Sequence, residues 1–272
     1  MSVASKLLTV GWFLRRPAFW RHAASLARRR LSAGEDGPDE RRVATAWAAA
    51  RATDVPAALE RLGLPPTVVP MPEREMEAAR AAAASVPMTL GGPGDLTFLH
   101  SLVRATGARR VIETGVAYGW STLAVLTAFE PDDDAARLVS VDMPYPRQGN
   151  ETFVGAVVPP RLRGRWTLIR LPDRPGLRRA IARFGGAVDL AHYDSDKSHA
   201  GRSYAYPLLW EALAPGGVLV SDDIQDNMTF AAFAEATGAP LAVTRAHGKY
   251  AGALRKPGAG AAPTPGAVGA RP

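Results

Sequence analysis

Apolar and polar positions along this chain change period several times, and the changes mark its elements. From residue 109 onward, short apolar runs alternate with stretches of helical period. The runs at 109–113, 137–141, 166–170, 188–193 and 217–221 are predicted strands, and helices are predicted near 120–129, 175–184, 200–213 and 228–237. Such alternation implies a mainly parallel sheet with helices on both faces. Two later runs, Leu241–Arg245 and Tyr250–Leu254, suit a terminal antiparallel hairpin. Upstream, Asp95 is placed to cap a helix whose face is Leu96, Leu99, Leu102 and Val103, and Gly107 stops it. Residues 41–85 read as helices around a Pro-rich turn at Pro65–Pro72. The pattern divides the chain into an N-terminal helical extension (1–87), an α/β domain (88–256) and a Gly/Ala/Pro-rich tail (257–272) expected to be disordered.

Charge changes this picture at one end only. Residues 1–30 carry seven Lys/Arg and no acid, and the rest of the chain balances 26 basic against 26 acidic residues. The net charge of +7 therefore belongs to the N-terminal segment, which argues against a nucleic-acid-binding face on the α/β domain. Residues 1–31 read as a basic amphipathic helix broken near Pro17, with Trp12, Phe13, Phe19 and Trp20 as its large apolar groups. Two readings stand: peripheral contact with an anionic membrane surface, or packing against the domain or a second subunit. A homo-oligomer is expected. No apolar stretch reaches the ~18 residues of a membrane span, and arginines interrupt the one apolar run that faintly suggests a leader. These features predict a cytoplasmic protein. The absence of cysteine excludes disulfides, thiolate catalysis and thiolate-bound metals.

The chemistry concentrates at the predicted strand ends, where open α/β sheets bind ligands. Val111–Thr122 reads V-I-E-T-G-V-A-Y-G-W-S-T: a strand ending in Glu113, then Gly115, Gly119 and Ser121 at a new helix. Glycines let backbone approach a ligand, and a helix start offers free N–H groups to an anion. The spacing is G-x-x-x-G rather than the dinucleotide fingerprint G-x-G-x-x-G, which disfavours a nicotinamide enzyme. The next predicted strand ends at Asp142, where a carboxylate can accept from both hydroxyls of a ribose. The last two parallel strands end in D-L-A-H-Y-D-S-D-K-S-H (189–199) and V-L-V-S-D-D-I-Q-D-N (218–227). Asp194, Asp222 and Asp223 are thereby expected to converge, and three clustered carboxylates need neutralising. Oxygen ligands of this kind suit Mg²⁺.

The E-x-G-x-x-x-G-x-S pattern resembles motif I of class I S-adenosylmethionine (SAM) methyltransferases. Residues 189–223 resemble the metal site of Mg²⁺-dependent small-molecule O-methyltransferases of the sugar and catechol types. The resemblance covers about residues 88–256 and implies a Rossmann-like, doubly wound fold. It implies that Ser121 and the turn amides hold the methionine carboxylate, that Glu113 lies near the methionine amine, and that Asp173 contacts the adenine. Asp194, Asp222 and Asp223 match the metal positions, and Asp at 223 follows the sugar-type pattern. Lys197 sits at the catechol-type lysine position, whereas the sugar-type pattern has His there and Tyr at 199. The expected reaction is O-methylation of a small-molecule acceptor, a sugar or polyhydroxylated compound, with catechols or phenols as the alternative. A metal-bound hydroxyl would lose its proton to Lys197, with Asp196 and then His199 as further candidates for the base. A lysine beside a dication would have a depressed pKa. His192 is expected to face the sheet interior or a neighbouring helix. Specificity is expected in Met88–Gly94, Pro144–Pro160, Asp226–Phe230 and the N-terminal helices, with Pro144–Pro160 a mobile lid. A non-catalytic SAM-binding scaffold is the remaining rival.

Overall fold

The computed structural model describes residues 9, 11–20, 23, 24, 36–144 and 149–258. The expectation for the tail falls, from residue 259 on, outside the described residues, as does most of that for residues 1–31. Within 11–20, Phe19 is buried and meets Trp12 edge to face, while Leu14 and Trp20 are exposed.

Eight strands form one sheet: β1 (Ala52–Thr53), β2 (Arg110–Thr114), β3 (Arg137–Val141), β4 (Trp166–Ile169), β5 (Val188–Tyr193), β6 (Leu213–Ser221), β7 (Leu241–Ala246) and β8 (Lys249–Arg255). Their order is β1-β7-β8-β6-β5-β2-β3-β4, antiparallel only where β8 pairs with β6 and β7. The sheet reverses direction of winding between β2 and β5, and a crevice opens there at the carboxyl ends. The helices among the described residues, beyond residue 36, are α1 (Pro38–Ala49), α2 (Val55–Arg61), α3 (Glu73–Ala84), α4 (Leu96–Thr106), α5 (Trp120–Ala128), α6 (Asp173–Arg183), α7 (His199–Ala212) and α8 (Thr229–Thr237). No helix among the described residues is long and apolar enough to cross a membrane.

Alternation along the strands builds two cores. Val111, Leu138, Leu190 and Val218 sit side by side in register and face the core shared with α4 and α5. Ile112, Val139, Ala191 and Leu219 face the core shared with α6 and α7. Helix α5 is apolar on nearly every side because it is enclosed by the sheet, α4 and the turn at Pro160–Arg165. Asp95 caps α4 through the Phe98 amide at 3.0 Å, and Gly107 ends it in the left-handed region.

Two expectations change. Strand β6 starts at Leu213, because Leu213 pairs with Val188 ahead of an irregularity. The expected lid is largely packed down. Residues 145–148 lie outside the described set, but Gly155 and Val157 donate to the carbonyls of Ala117 and Tyr118 at 2.9 and 3.0 Å, and Val154, Val157 and Val158 are buried.

Gly252 of β8 lies against the buried ring of Phe230, and a Cβ there would come within 2.3 Å of it. Gly252→Val is expected to lower unfolding free energy by about 1–3 kcal/mol through overpacking, read as a reduced urea midpoint.

Candidate active site

The cleft at the strand ends is lined by Gly94, Trp120, Ser121, His192, Asp194 and Asp222, among others. One wall is the turn between β2 and α5. Gly115, Ala117 and Gly119 all have positive φ, at 76°, 49° and 93°. For Ala117 this conformation costs about 1–2 kcal/mol. The Asp142 carboxylate holds the turn by accepting from the amides of Val116 and Ala117, both at 3.3 Å. A side chain at Gly115 would strike the carbonyl oxygen of Asp194 at 2.3 Å, so the backbone leaving β5 crosses directly behind the turn.

The expected cofactor residues are brought together, with duties beyond those anticipated. Glu113 is fully buried beneath the turn. It accepts from the hydroxyls of Ser121 (2.5 Å), Thr122 (2.7 Å) and Ser140 (2.6 Å). Burial pushes its pKa up, against the opposing charge of His192 and these three bonds. Ser121 lines the cleft with its proton directed to Glu113, so its free lone pairs offer an acceptor rather than a donor. Asp142 is buried and faces Arg170 at 3.4 Å; burial raises its pKa and Arg170 opposes that. Asp173 begins α6 and accepts from Ser195 Oγ at 2.6 Å and Tyr193 at 3.3 Å. Burial holds its pKa at about 6.

The expected metal site does not form. Among the described residues no group of three acidic or histidine side chains is placed to hold a metal ion. Asp194, Asp222 and Asp223 are at adjacent strand ends, but the backbone turns left-handed at Asp223 (φ 52°) and separates the consecutive pair. Asp222 stays in the cleft, 3.7 Å from His192 Nε2. Asp223 turns to Lys197, Lys249 and Gln225. The donor set therefore does not fit a dication as it stands.

The candidate bases are also redistributed. Burial would lower the pKa of Lys197, but Asp194 at 3.0 Å and Asp223 in contact reverse that and raise it above the ordinary lysine value. With no dication beside it, Lys197 is thus held as an ammonium between these two acids. Asp196 accepts from the amide and hydroxyl of Ser198 at the start of α7, the hydroxyl at 2.7 Å. His199 Nδ1 meets Thr229 Oγ1 at 3.0 Å, and its amide donates to Asp36. Asp36 also accepts from Asn227, and Glu40 accepts from the Met228 amide, so residues 36–40 of the N-terminal extension dock on the loops beside the cleft.

Sequence reasoning passed over three groups. Trp120 lines the cleft with an indole N–H that is buried and has no partner. Arg202 is fully buried and donates to the carbonyls of Asp222 and Asp223 at 3.2 and 2.7 Å. His192, expected to face the interior or a neighbouring helix, reaches the cleft between Glu113 (4.0 Å) and Asp222 (3.7 Å). No local pattern marks them; only Trp120 lies inside the glycine motif.

Burial alone would strip the His192 proton, but Asp222, then Glu113 and Asp194, retain it, and the pKa rises from 6.5 to about 9. The charged ring therefore stabilises the fold fully below pH 6.5, and that contribution is lost as pH rises through about 9. The urea midpoint is expected to fall across this window. His192→Gln is expected to be less stable below pH 6.5 by on the order of 3 kcal/mol and to lack the fall.

Residues 112–224 match the family model of a methyltransferase domain. No curated protein matches the sequence. Solved structures of similar fold include an O-methyltransferase from Bacillus cereus in complex with S-adenosylhomocysteine (SAH). It is 17% identical with a TM-score of 0.50, over 69% of this chain and 93% of that one. Another is an O-methyltransferase from Streptomyces achromogenes involved in tomaymycin synthesis, in complex with SAM. It is 20% identical with a TM-score of 0.50, over 70% and 92%. A third is an SAH-bound methyltransferase from Podospora anserina, 15% identical with a TM-score of 0.51, over 70% and 91%. Residues 112–224 thus match a methyltransferase-domain model, and they lie in a Rossmann-like sheet whose fold those solved structures share.

Proposed function

We propose that this protein transfers the methyl group of SAM to a hydroxyl of a small molecule, with a sugar or polyhydroxylated compound as the acceptor class. The observation that carries the reading is the unpartnered indole N–H of Trp120 at the start of α5, lining a cleft beside the left-handed glycine turn. A buried donor without a partner costs about 1–3 kcal/mol, which a ligand acceptor at this point would recover. SAM would be held by the turn residues Gly115–Gly119, by the Trp120 N–H toward its carboxylate, and by Asp142 toward its ribose. When bound it supplies an activated methyl group, leaving SAH and a proton. Leu96, Phe98, Leu99, Val220 and Ala251 wall the cleft with apolar surface and limit water there. Of the three strand-end aspartates, Asp194 and Asp222 line the cleft, where Asp95 is committed to capping α4. Asp194, beside the Lys197 ammonium, is the group we assign to take the acceptor proton; Asp196 and His199 already serve α7 and Thr229. A divalent ion has no part in this assignment, since Asp223 is turned to Lys197 and Lys249.

Calorimetric titration of SAM into the full chain is expected to show micromolar binding. Gly115→Val is expected to abolish it, because the new side chain meets the Asp194 carbonyl. Trp120→Phe removes the N–H, together with part of the ring, and is expected to weaken binding by about tenfold with the fold intact. Absence of SAM and SAH binding by the wild-type protein would refute the assignment. With binding in hand, radiolabelled SAM and panels of glycosides, polyols and catechols would identify the acceptor class.

A further inference from the structure

Three carboxylates and three cationic side chains meet beyond the ends of β5 and β6. Lys197 Nζ lies 3.0 Å from Asp194 Oδ1 and touches Asp223 Oδ2. Lys249 Nζ lies 3.5 Å from that same Asp223 oxygen, and the other oxygen accepts from Gln225 Nε2 at 3.1 Å. Asp222 faces the His192 ring. Each acid is therefore matched by a cation, before the buried guanidinium of Arg202 on the carbonyls of Asp222 and Asp223 is counted. Hard dications bind carboxylates whose charge is still available and whose oxygens point to one centre. Here both conditions fail, and the position between Asp194 and Asp223 is filled by an ammonium.

We propose that Lys197 is the resident cation of the acceptor site: held between Asp194 and Asp223, its ammonium takes the place of a divalent ion, and the site works without a metal. This rests on the reading of the cleft as a methyl-transfer site. An ammonium has three N–H donors. Asp223 accepts one of them and Asp194 is held as an ion pair at 3.0 Å, which leaves N–H for an acceptor oxygen. The salt bridges fix the charge in position, and Lys249 completes the neutralisation of Asp223 from the hairpin.

The test is a titration of Mn²⁺ into the full chain, with and without SAM, followed by electron paramagnetic resonance and by unfolding temperature. The wild-type protein is expected to show no saturable binding up to millimolar Mn²⁺ and no Mn²⁺-dependent rise in Tm. Lys197→Met leaves Asp194 and Asp223 without their shared ammonium. It is expected to bind Mn²⁺ at least about tenfold more tightly than wild type and to gain Tm on its addition. Micromolar Mn²⁺ binding by the wild-type chain, abolished in Asp194→Asn, would overturn the proposal. So would a folded Lys197→Met protein no more responsive to Mn²⁺ than wild type. If Lys197→Met does not fold, the wild-type titration decides alone. SAM calorimetry separates the two readings. Mn²⁺ binding alongside SAM binding removes only the assignment of Lys197, whereas absence of SAM binding removes the methyl-transfer reading and leaves the charge arrangement standing.

Discussion

The buried carboxylate of Glu113 is the interaction on which the cleft depends. It lies near the end of β2 at zero exposure and gathers hydroxyls from Ser121 and Thr122 on α5 and from Ser140 on β3. Trp166 on β4 donates in turn to Ser140. Four elements are thus pinned to one group, at the point where a short turn must pass through three left-handed residues. A carboxylate out of water is costly unless its oxygens are satisfied. The arrangement persists because every hydroxyl has this acceptor and because His192 adds charge from the other side. Such a network tolerates few geometries, which makes the turn a rigid platform rather than a flexible loop.

The same logic runs outward along β5 and β6. His192 stands between Glu113 and Asp222, so the glycine turn and the end of β6 share one ring. Asp222 and Asp223, consecutive in sequence, are sent to different neighbours by one left-handed residue. Arg202 then binds both of their carbonyls from beneath, with Asn227 on its other nitrogen. Acidic clusters in such a cleft invite a metal reading on composition. Here lysines and a buried arginine lie against the same acids, and on our proposal the Lys197 ammonium stands where that ion would.

Much of the fold was legible because it rests on short-range regularities. Strands 137–141 and 188–193 and the cap at Asp95 follow from alternation and side-chain chemistry alone. The glycines at 115 and 119 announced a tight turn, and positive φ at both agrees. Legibility failed where the partner is distant in sequence. β1, at two residues, is too short to carry a period and exists only by pairing with β7. The segment expected as a lid is held down by Ala117 and Tyr118, some forty residues earlier. His192 read as one more residue of an apolar strand, since its two carboxylates come from β2 and β6.

By itself, then, the sequence determined the α/β alternation, the parallel sheet, the turn and the list of acids at its open end. Local backbone preference and hydrophobic period suffice for those. Only the tertiary structure decided what the acids do. Whether Lys197 titrates as a base or stays an ammonium depends on Asp194 and Asp223 lying on either side of it. Whether three aspartates form a metal cage or separate ion pairs depends on the direction of each side chain. Those are properties of distance and burial, and spacing along a chain does not encode them.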